Sequence, residues 1–452
     1  MVIIANAQPI FNAQGVELKH KMTAEEADLM KSYTPSLVIT SAPVGEIRPV
    51  AEWEPAEAVL VRYPFGIPIA LIKEMAEDCK VITIVASESQ KSTVLSQYTS
   101  NTVNTANCEF LIANTDSYWT RDYGPWFMVI DNQEVAMFDF NYNRPRPNDN
   151  AINTKLATGM NFNRYTSSIQ HCGGNFMNDG VSKAASTDLV LEENTSYNAA
   201  TMTNLFYNYM GIDDYSFLTD PLQDYIKHID CWGKFLAPNK VLIGQVPITD
   251  SRYQLYENVA NYFANKTCAW GTKYEVYRVY SPGSSSMSTS TPFTNSLILN
   301  NKVFVPVTNS TYSNAAVAVY QQAMPGYEIV PISYSAWEDT DALHCRTHEI
   351  SAFSFKIFFY IVYITIHKTF CLFVKRKSID KIGFALIIPA KFKRRVGRII
   401  FDKNLHFKVK FRLFLSGNRR SAKCKMQNAK YYQLDWFHFI YDFGFTIYDF
   451  GF

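Results

Sequence analysis

The chain reads as an α/β protein built from repeated modules, and three observations lead there. With 452 residues, 47% of them hydrophobic and 19% charged, it can bury a large core. Apolar runs of strand length, rich in β-branched and aromatic residues and bounded by turn formers, recur along its first 350 residues. Stretches of helical composition fall between several of them, so strand and helix alternate in units of several tens of residues. No sequence motif repeats with this rhythm.

Taken in order, Thr23 ahead of Glu25 and Glu26 predicts a capped helix over residues 23–30. Ala51-Glu52-Trp53-Glu54-Pro55 then breaks the backbone before the first apolar run. Strands are expected at 58–63, 81–85, 110–112, 126–130, 135–140, 188–191, 241–243, 297–299, 303–305 and 329–332. Helices are expected at 68–80, 197–210, 253–265 and 314–324. The Ser/Thr/Pro/Gly-rich stretch 281–294 reads as a loop long enough to move near a site.

Residues 226–232 read as an extended strand, Ile-Lys-His-Ile-Asp-Cys-Trp. Alternation along a strand projects His228 and Asp230 together and turns Cys231 away. An imidazole moves protons near neutral pH, and a carboxylate beside it orients the ring or binds a cation. Alone the pair is ambiguous; its meaning depends on what else reaches it.

The charge divides the chain. Residues 351–452 carry 20 Lys and Arg against 5 Asp and no Glu, so the whole-chain net of +2 conceals about +15 there and −13 before it. Three regions are therefore expected: a residual leader at 1–20, a catalytic body at 21–350, and a basic aromatic tail at 351–452. Residues 2–7, Val-Ile-Ile-Ala-Asn-Ala, resemble the end of a signal peptide with Ala5 and Ala7 at its cleavage site. That predicts a secreted or cell-surface protein, and a cytoplasmic one if the N-terminus is genuine. In the tail, the uncharged core 357–366 falls short of the roughly 20 residues that span a bilayer, so membrane association is not favoured. The basic cluster at 391–398 lacks a surrounding nucleic-acid module, so no nucleic-acid partner is expected. Tyr-Asp-Phe-Gly-Phe at 441–445 returns at 448–452, and the tail reads as a frame-shifted or read-through translation. The eight cysteines are scattered, without the density of a disulfide scaffold or a Cys-x-x-Cys pair.

Three further stretches bear chemistry. In residues 116–126 the Gly124-Pro125 turn places the Asp122 carboxylate at an element end among aromatic rings, beside Arg121. His171-Cys172-Gly173-Gly174-Asn175-Phe176 is a tight turn whose glycines allow close backbone approach, fit to line a pocket or to make a plain hairpin. Downstream, His344, Arg346 and His348 surround Cys345 with groups that favour thiolate over thiol, as a nucleophile requires. His228, Cys231, His344, Cys345 and His348 are all possible zinc ligands, but their spacing matches no standard closed site and no metal is expected. A papain-type Cys/His hydrolase would not use a pair of buried carboxylates.

Two carboxylates, one His and one Cys suit a guanidinium. Asp122 and Asp230 can clamp the two edges of that planar cation, leaving its carbon open to Cys345. His228 would then protonate the departing nitrogen and later activate water against the thiouronium. Asn143-Arg144-Pro145-Arg146-Pro147 holds two arginines apart on a stiff element suited to a carboxylate, which agmatine lacks and a C-terminal arginine has.

At these residues the sequence resembles a known family. Residues 52–58 (Glu-Trp-Glu-Pro-Ala-Glu-Ala), 119–125 (Trp-Thr-Arg-Asp-Tyr-Gly-Pro), Gly173-Gly174-Asn175, His228-Ile229-Asp230 and the His344-Cys345 segment are similar to the guanidino-group-modifying deiminases, and within them to bacterial peptidylarginine deiminases. The resemblance spans about residues 45 to 350. It implies a five-bladed, pentein-like α/β propeller with the site on its axis, catalytic Cys345, His228, Asp230 and Asp122, and Asn295 beside the cysteine. It also implies that Arg144, Arg146 and Tyr225 bind the substrate's α-carboxylate, with Trp119 as a further substrate contact. The expected activity is calcium-independent conversion of C-terminal peptidyl-arginine to citrulline, needing no metal or organic cofactor. The expected partners are arginine-containing peptides or proteins ending in arginine. An agmatine or free-arginine deiminase, or a non-catalytic guanidinium binder, are the alternatives. The likeness stops just after Ile350, where family members continue into the last residues of the propeller; residues 355–364 are the candidate for a substitute strand.

Overall fold

Among the described residues, four sheets share one connection pattern, a fifth draws its strands from both ends of the body, and a small two-stranded sheet pairs Ile10–Phe11 with Glu17–Leu18. The computed structural model describes residues 10–11, 17–35, 37–223, 226–285, 290–308 and 311–352. In the first sheet, Trp126–Ile130 runs antiparallel to Glu134–Tyr142, which pairs in parallel with Arg164–His171 after the helix Ile152–Met160. The same strand-strand-helix-strand order gives Met177–Asn178, Lys183–Thr187 and Asp214–Leu218 around the helix Ala199–Met210. It recurs in Gly233–Ala237, Lys240–Gln245 and Glu275–Tyr280 around Tyr253–Asn265. It recurs again in Leu297–Leu299, Lys302–Val307 and Glu328–Ser333 around Ser313–Ala323. Each parallel pair needs a crossover, and the helix supplies it while covering the sheet face.

In the fifth sheet the first strand comes last in sequence. His348–Ser351 lies antiparallel to Ala56–Arg62, with His348 opposite Leu60, and Ala56–Arg62 pairs in parallel with Lys80–Val85 across the helix Ile69–Asp78. Cys108–Ile112 adds a fourth strand after the helix Glu88–Ser100. The unbroken apolar run in Ala56–Arg62 follows from burial on both faces: Val59 and Val61 enter one core cluster with Leu71, Ile72 and Met75, while Ala58 and Leu60 enter another with Tyr123 and Phe127.

Several expectations are corrected. Residues 188–191 form part of a helix, Leu189–Glu193, since four apolar residues carry too little periodicity to separate helix from strand. Residues 226–232 are not a strand: His228 is extended, and Ile229–Cys231 is a single 3-10 turn leading into Gly233–Ala237. Arg164–His171, Lys183–Thr187 and Asp214–Leu218 are strands that their polar composition concealed. The helix Ala24–Met30 does carry the expected capping box between Thr23 and Glu26. The leader at 2–7, Tyr225, residues 355–364 and the rest of the tail from 353 lie outside the described residues.

Candidate active site

The turn that enters the first strand of each sheet carries a residue of one cluster. Asp122 sits on the short helix Thr120–Tyr123 ahead of Trp126–Ile130, and Gly173–Asn175 is a 3-10 turn ahead of Met177–Asn178. His228 and Asp230 lie in the turn ahead of Gly233–Ala237, Asn295 ahead of Leu297–Leu299, and Cys345 ahead of His348–Ser351. Asp122, Asn295 and Cys345 are all at most 1% exposed.

The cysteine is held by its neighbours from the fourth and third sheets. Asn295 Nδ2 donates to Cys345 Sγ at 3.1 Å, and its Oδ1 accepts the backbone N–H groups of Ala342 and Cys345, each at 3.2 Å. Cys345 Sγ donates to Asp230 Oδ2 at 3.4 Å. Asp230 Oδ2 also faces His344 Nδ1 at 2.7 Å, and His344 Nε2 faces Glu52 Oε1 at 2.8 Å. Lys234 completes the line by donating to Glu52 Oε2 at 2.6 Å. Burial alone would raise the Asp230 carboxyl, but the His344 contact holds it below the usual carboxylate range.

Gly174 permits the assembly. A Cβ there would lie 2.7 Å from His228 Nδ1, 2.8 Å from Asp122 Oδ1 and 3.3 Å from Asp230 Oδ2, so the three side chains crowd one backbone position. At Gly173 a Cβ would meet the Arg121 carbonyl at 2.0 Å. The glycine turn therefore lines the site. His228 Nδ1 stands 3.8 Å from Asp122 Oδ1, and its Nε2 is 2.9 Å from Cys172 Sγ. Burial lowers His228 to about 4, against the opposing pull of Asp122. Asp122 would be raised by burial, but His20, His228 and Arg144 bring it to about 2.

Two expectations fail here. Cys345 is not surrounded by cations that favour thiolate: burial, then Asp230, Asp341 and Asp122, pushes the thiol well above its ordinary value. Arg346 is committed to Asp341 through two hydrogen bonds at 2.8 Å and to the Gly66 carbonyl at 2.7 Å. Cys231 does not turn away, because the 3-10 turn replaces strand alternation; its Sγ lies 3.6 Å from Asp230 Oδ1 and 3.5 Å from the Thr340 carbonyl. Of the other supposed zinc ligands, His348 binds the Pro125 carbonyl at 2.7 Å. Among the described residues, the groups that could hold a cation are His20, Asp122 and His228, or His20, Asp341 and Cys345.

The arginines stand beside the clamp. Trp119 is 2% exposed, donates from Nε1 to Asp341 Oδ2 at 2.9 Å, and has the Arg146 guanidinium carbon 5.0 Å from its ring centre. Arg144 Nη1 donates to the Asn143 carbonyl at 3.0 Å, and its buried Nε has no hydrogen-bond partner among the described residues. Arg146 Nε donates to Glu26 Oε1 at 2.7 Å, and its Nη2 donates to the Lys19 carbonyl at 2.7 Å. His20 Nε2 meets Asp122 Oδ2 at 2.8 Å. Sequence reasoning missed His20, Glu26, Asp341 and the linking role of His344. Nothing in a lone histidine before a capped helix announces a contact with a carboxylate 102 positions away.

A family model for Porphyromonas-type peptidyl-arginine deiminases matches residues 48–350. A Legionella pneumophila protein provisionally named an agmatine deiminase is 24% identical over 261 residues, covering 54% of this chain and 75% of that one. Among solved structures, the agmatine deiminase of Enterococcus faecalis superposes with a TM-score of 0.61 at 18% identity, over 70% of this chain and 100% of that one. A Porphyromonas gingivalis protein provisionally named an arginine deiminase gives 0.57 at 17%, over 66% and 97%. Fold and matches define a guanidino-group deiminase of the α/β pentein class. The chain belongs to the Porphyromonas-type peptidyl-arginine deiminase family.

Proposed function

We propose that the protein hydrolyses C-terminal peptidyl-arginine to citrulline and ammonia, with Cys345 as nucleophile. The observation that carries the choice of substrate is the pair of buried arginines beside the clamp, one already holding a carboxylate and the other keeping a buried N–H with no partner among the described residues. Agmatine offers no carboxylate to them, whereas a peptide ending in arginine does. The name of the Enterococcus relative favours agmatine, and free arginine carries a carboxylate too. Those are the competing substrates.

In this reading a guanidinium lies between Asp122 and Asp230, whose oxygens satisfy its edge N–H groups. Its charge offsets the three carboxylates that oppose thiolate formation at Cys345, so the nucleophile is activated by substrate binding. His228, neutral near pH 7, accepts the thiol proton as Sγ adds to the guanidinium carbon. It returns that proton to the departing nitrogen, ammonia leaves, and a thiouronium remains. His228 then takes a proton from water, hydroxide adds to the same carbon, and collapse expels the Cys345 thiolate, which takes up the hydroxyl proton as citrulline forms, while His228 returns its proton to solvent. Asn295 steadies the sulfur throughout.

The convergence of entry turns supports a five-bladed arrangement around this site. Partners are peptides and proteins ending in arginine, met outside the cell if residues 2–7 close a leader. The test is citrulline and ammonia release from an arginine-ended peptide, from free arginine and from agmatine in parallel. Higher kcat/KM on agmatine than on the peptide overturns the peptidyl reading.

A further inference from the structure

We infer that residues 17–30 act as a tethered pseudo-substrate, with His20 in the place of the guanidinium and Glu26 in the place of the substrate carboxylate. The inference rests on the clamp reading above and adds regulation to it. The His20 ring is planar and presents N–H donors at its edge, as a guanidinium does. It reaches Asp122 Oδ2 at 2.8 Å, stacks on Trp119 at 4.8 Å between centroids and 11° between planes, and meets the His228 ring edge-on at 5.4 Å. One of its nitrogens, a carboxylate oxygen of Asp341 and Cys345 Sγ all lie within 4.8 Å of one another. The imidazole therefore stands between a clamp carboxylate and the nucleophile.

The second anchor is independent of the first. Glu26 takes Arg146 through both carboxylate oxygens, at 2.7 and 3.2 Å, and the Lys19 carbonyl takes the same guanidinium at 2.7 Å. The capping box places Glu26 in the first turn of Ala24–Met30. Leu18, two residues before His20, is buried in one cluster with Tyr118, Trp119 and Cys345. With the segment seated, His20 is 6% and Cys345 0% exposed.

The mimicry is incomplete, which makes the segment displaceable. His20 Nδ1, Asp122 Oδ1 and Arg146 Nη1 are buried without a hydrogen-bond partner among the described residues. A guanidinium, with five N–H groups, reaches more of the clamp than an imidazole does. Burial opposes a charge on His20 and Arg144 repels it, but Asp122 and Asp341 raise its pKa, in keeping with a cation at this position.

The test compares the full-length protein with His20→Ala and Glu26→Gln, reading alkylation of Cys345 by 2-chloroacetamidine, an amidinium reagent, by peptide mass spectrometry. Both variants should react about tenfold faster or more, equivalent to about 1.4 kcal/mol. Buried Cys79, in the fifth sheet's core, should stay as slow as in the parent. Unchanged or slower Cys345 alkylation overturns the inference, as does equal acceleration at Cys79, which marks general loosening. Acceleration of the parent by EDTA alone also overturns it, assigning His20 to a bound metal ion instead. Should His20→Ala not fold, the Glu26→Gln variant decides by the same readout. Citrulline formation from an arginine-ended peptide, measured beside it, separates the two readings. Faster alkylation without citrulline keeps the segment's role and removes the deiminase reading; citrulline with unchanged alkylation does the reverse.

Discussion

Asn295 holds Cys345 at two points: its carboxamide oxygen accepts the cysteine's backbone N–H at 3.2 Å and its nitrogen donates to Sγ at 3.1 Å. The side chain thus fixes the cysteine turn and solvates the sulfur together. Asn295→Ala should lower kcat by about 100-fold, the order seen when one preorganised donor is removed. Cys345→Ala should abolish citrulline formation while calorimetry still detects an arginine-ended peptide. Turnover by that variant would sink the proposed mechanism.

Arg144→Ala should raise KM for peptides ending in arginine by at least tenfold and leave agmatine nearly unaffected, because only the peptide presents a carboxylate. Arg146→Ala adds a second effect, since the same residue anchors Glu26. The double variant should show poor peptide KM with undiminished agmatine turnover. Equal losses on both substrates would favour agmatine as the natural one.

Gly174→Ala should remove activity. Its Cβ would fall below 3 Å from both His228 and Asp122, and those side chains must move for the chain to fold. Overpacking of this kind costs about 1 to 3 kcal/mol, so a folded but inactive protein is expected by circular dichroism and assay. Gly173→Ala meets backbone instead, the Arg121 carbonyl, and should fail to accumulate as folded protein.

His344→Ala should destabilise as well as inactivate. The ring stands between Glu52 and Asp230, and its loss leaves the buried Asp230 carboxylate and the part-exposed Glu52 facing its place, with Lys234 still beside Glu52. Leaving a buried acceptor without its hydrogen-bond partner costs about 1 to 3 kcal/mol. A melting temperature within a degree or two of the parent would contradict this role.

The pH dependence can be assigned to particular groups. Burial, and then Arg121, lowers His348 to about 4 from 6.5, so between those values the unfolded chain binds a proton that the folded chain does not. Its contribution to stability is complete above pH 6.5 and is lost as the pH falls towards 4. His348→Gln keeps a donor for the Pro125 carbonyl but cannot titrate. The slope of unfolding free energy against pH in that window should fall by about 1.4 kcal/mol per pH unit. Denaturant titrations at pH 4.5, 5.5 and 6.5, chosen at roughly unit intervals inside that window, measure it.

How much was legible depended on whether a signal was local. The helices at 253–265 and near 199–210, and the strands at 126–130 and 297–299, were readable because periodicity and composition are carried by neighbouring residues. Lys183–Thr187 was not, since a strand of Lys, Ala, Ser and Thr draws its stability from partners on either side.

For the site, the sequence by itself determined which chemical groups were at hand: one candidate thiol beside His344, the carboxylates Asp122 and Asp230, the imidazole of His228, and paired arginines at 144 and 146. It did not determine their electrostatics. Arg346 lies next to Cys345 in sequence yet is bound to Asp341, while the thiol is raised first by burial and then by Asp230 and Asp122 from other sheets together with Asp341 from its own loop. Nor did it place His20 on Asp122 or Glu26 on Arg146. Adjacency along the chain is covalent, but adjacency in a buried site is set by packing and charge pairing across modules, and those contacts exist only once the sheets have assembled.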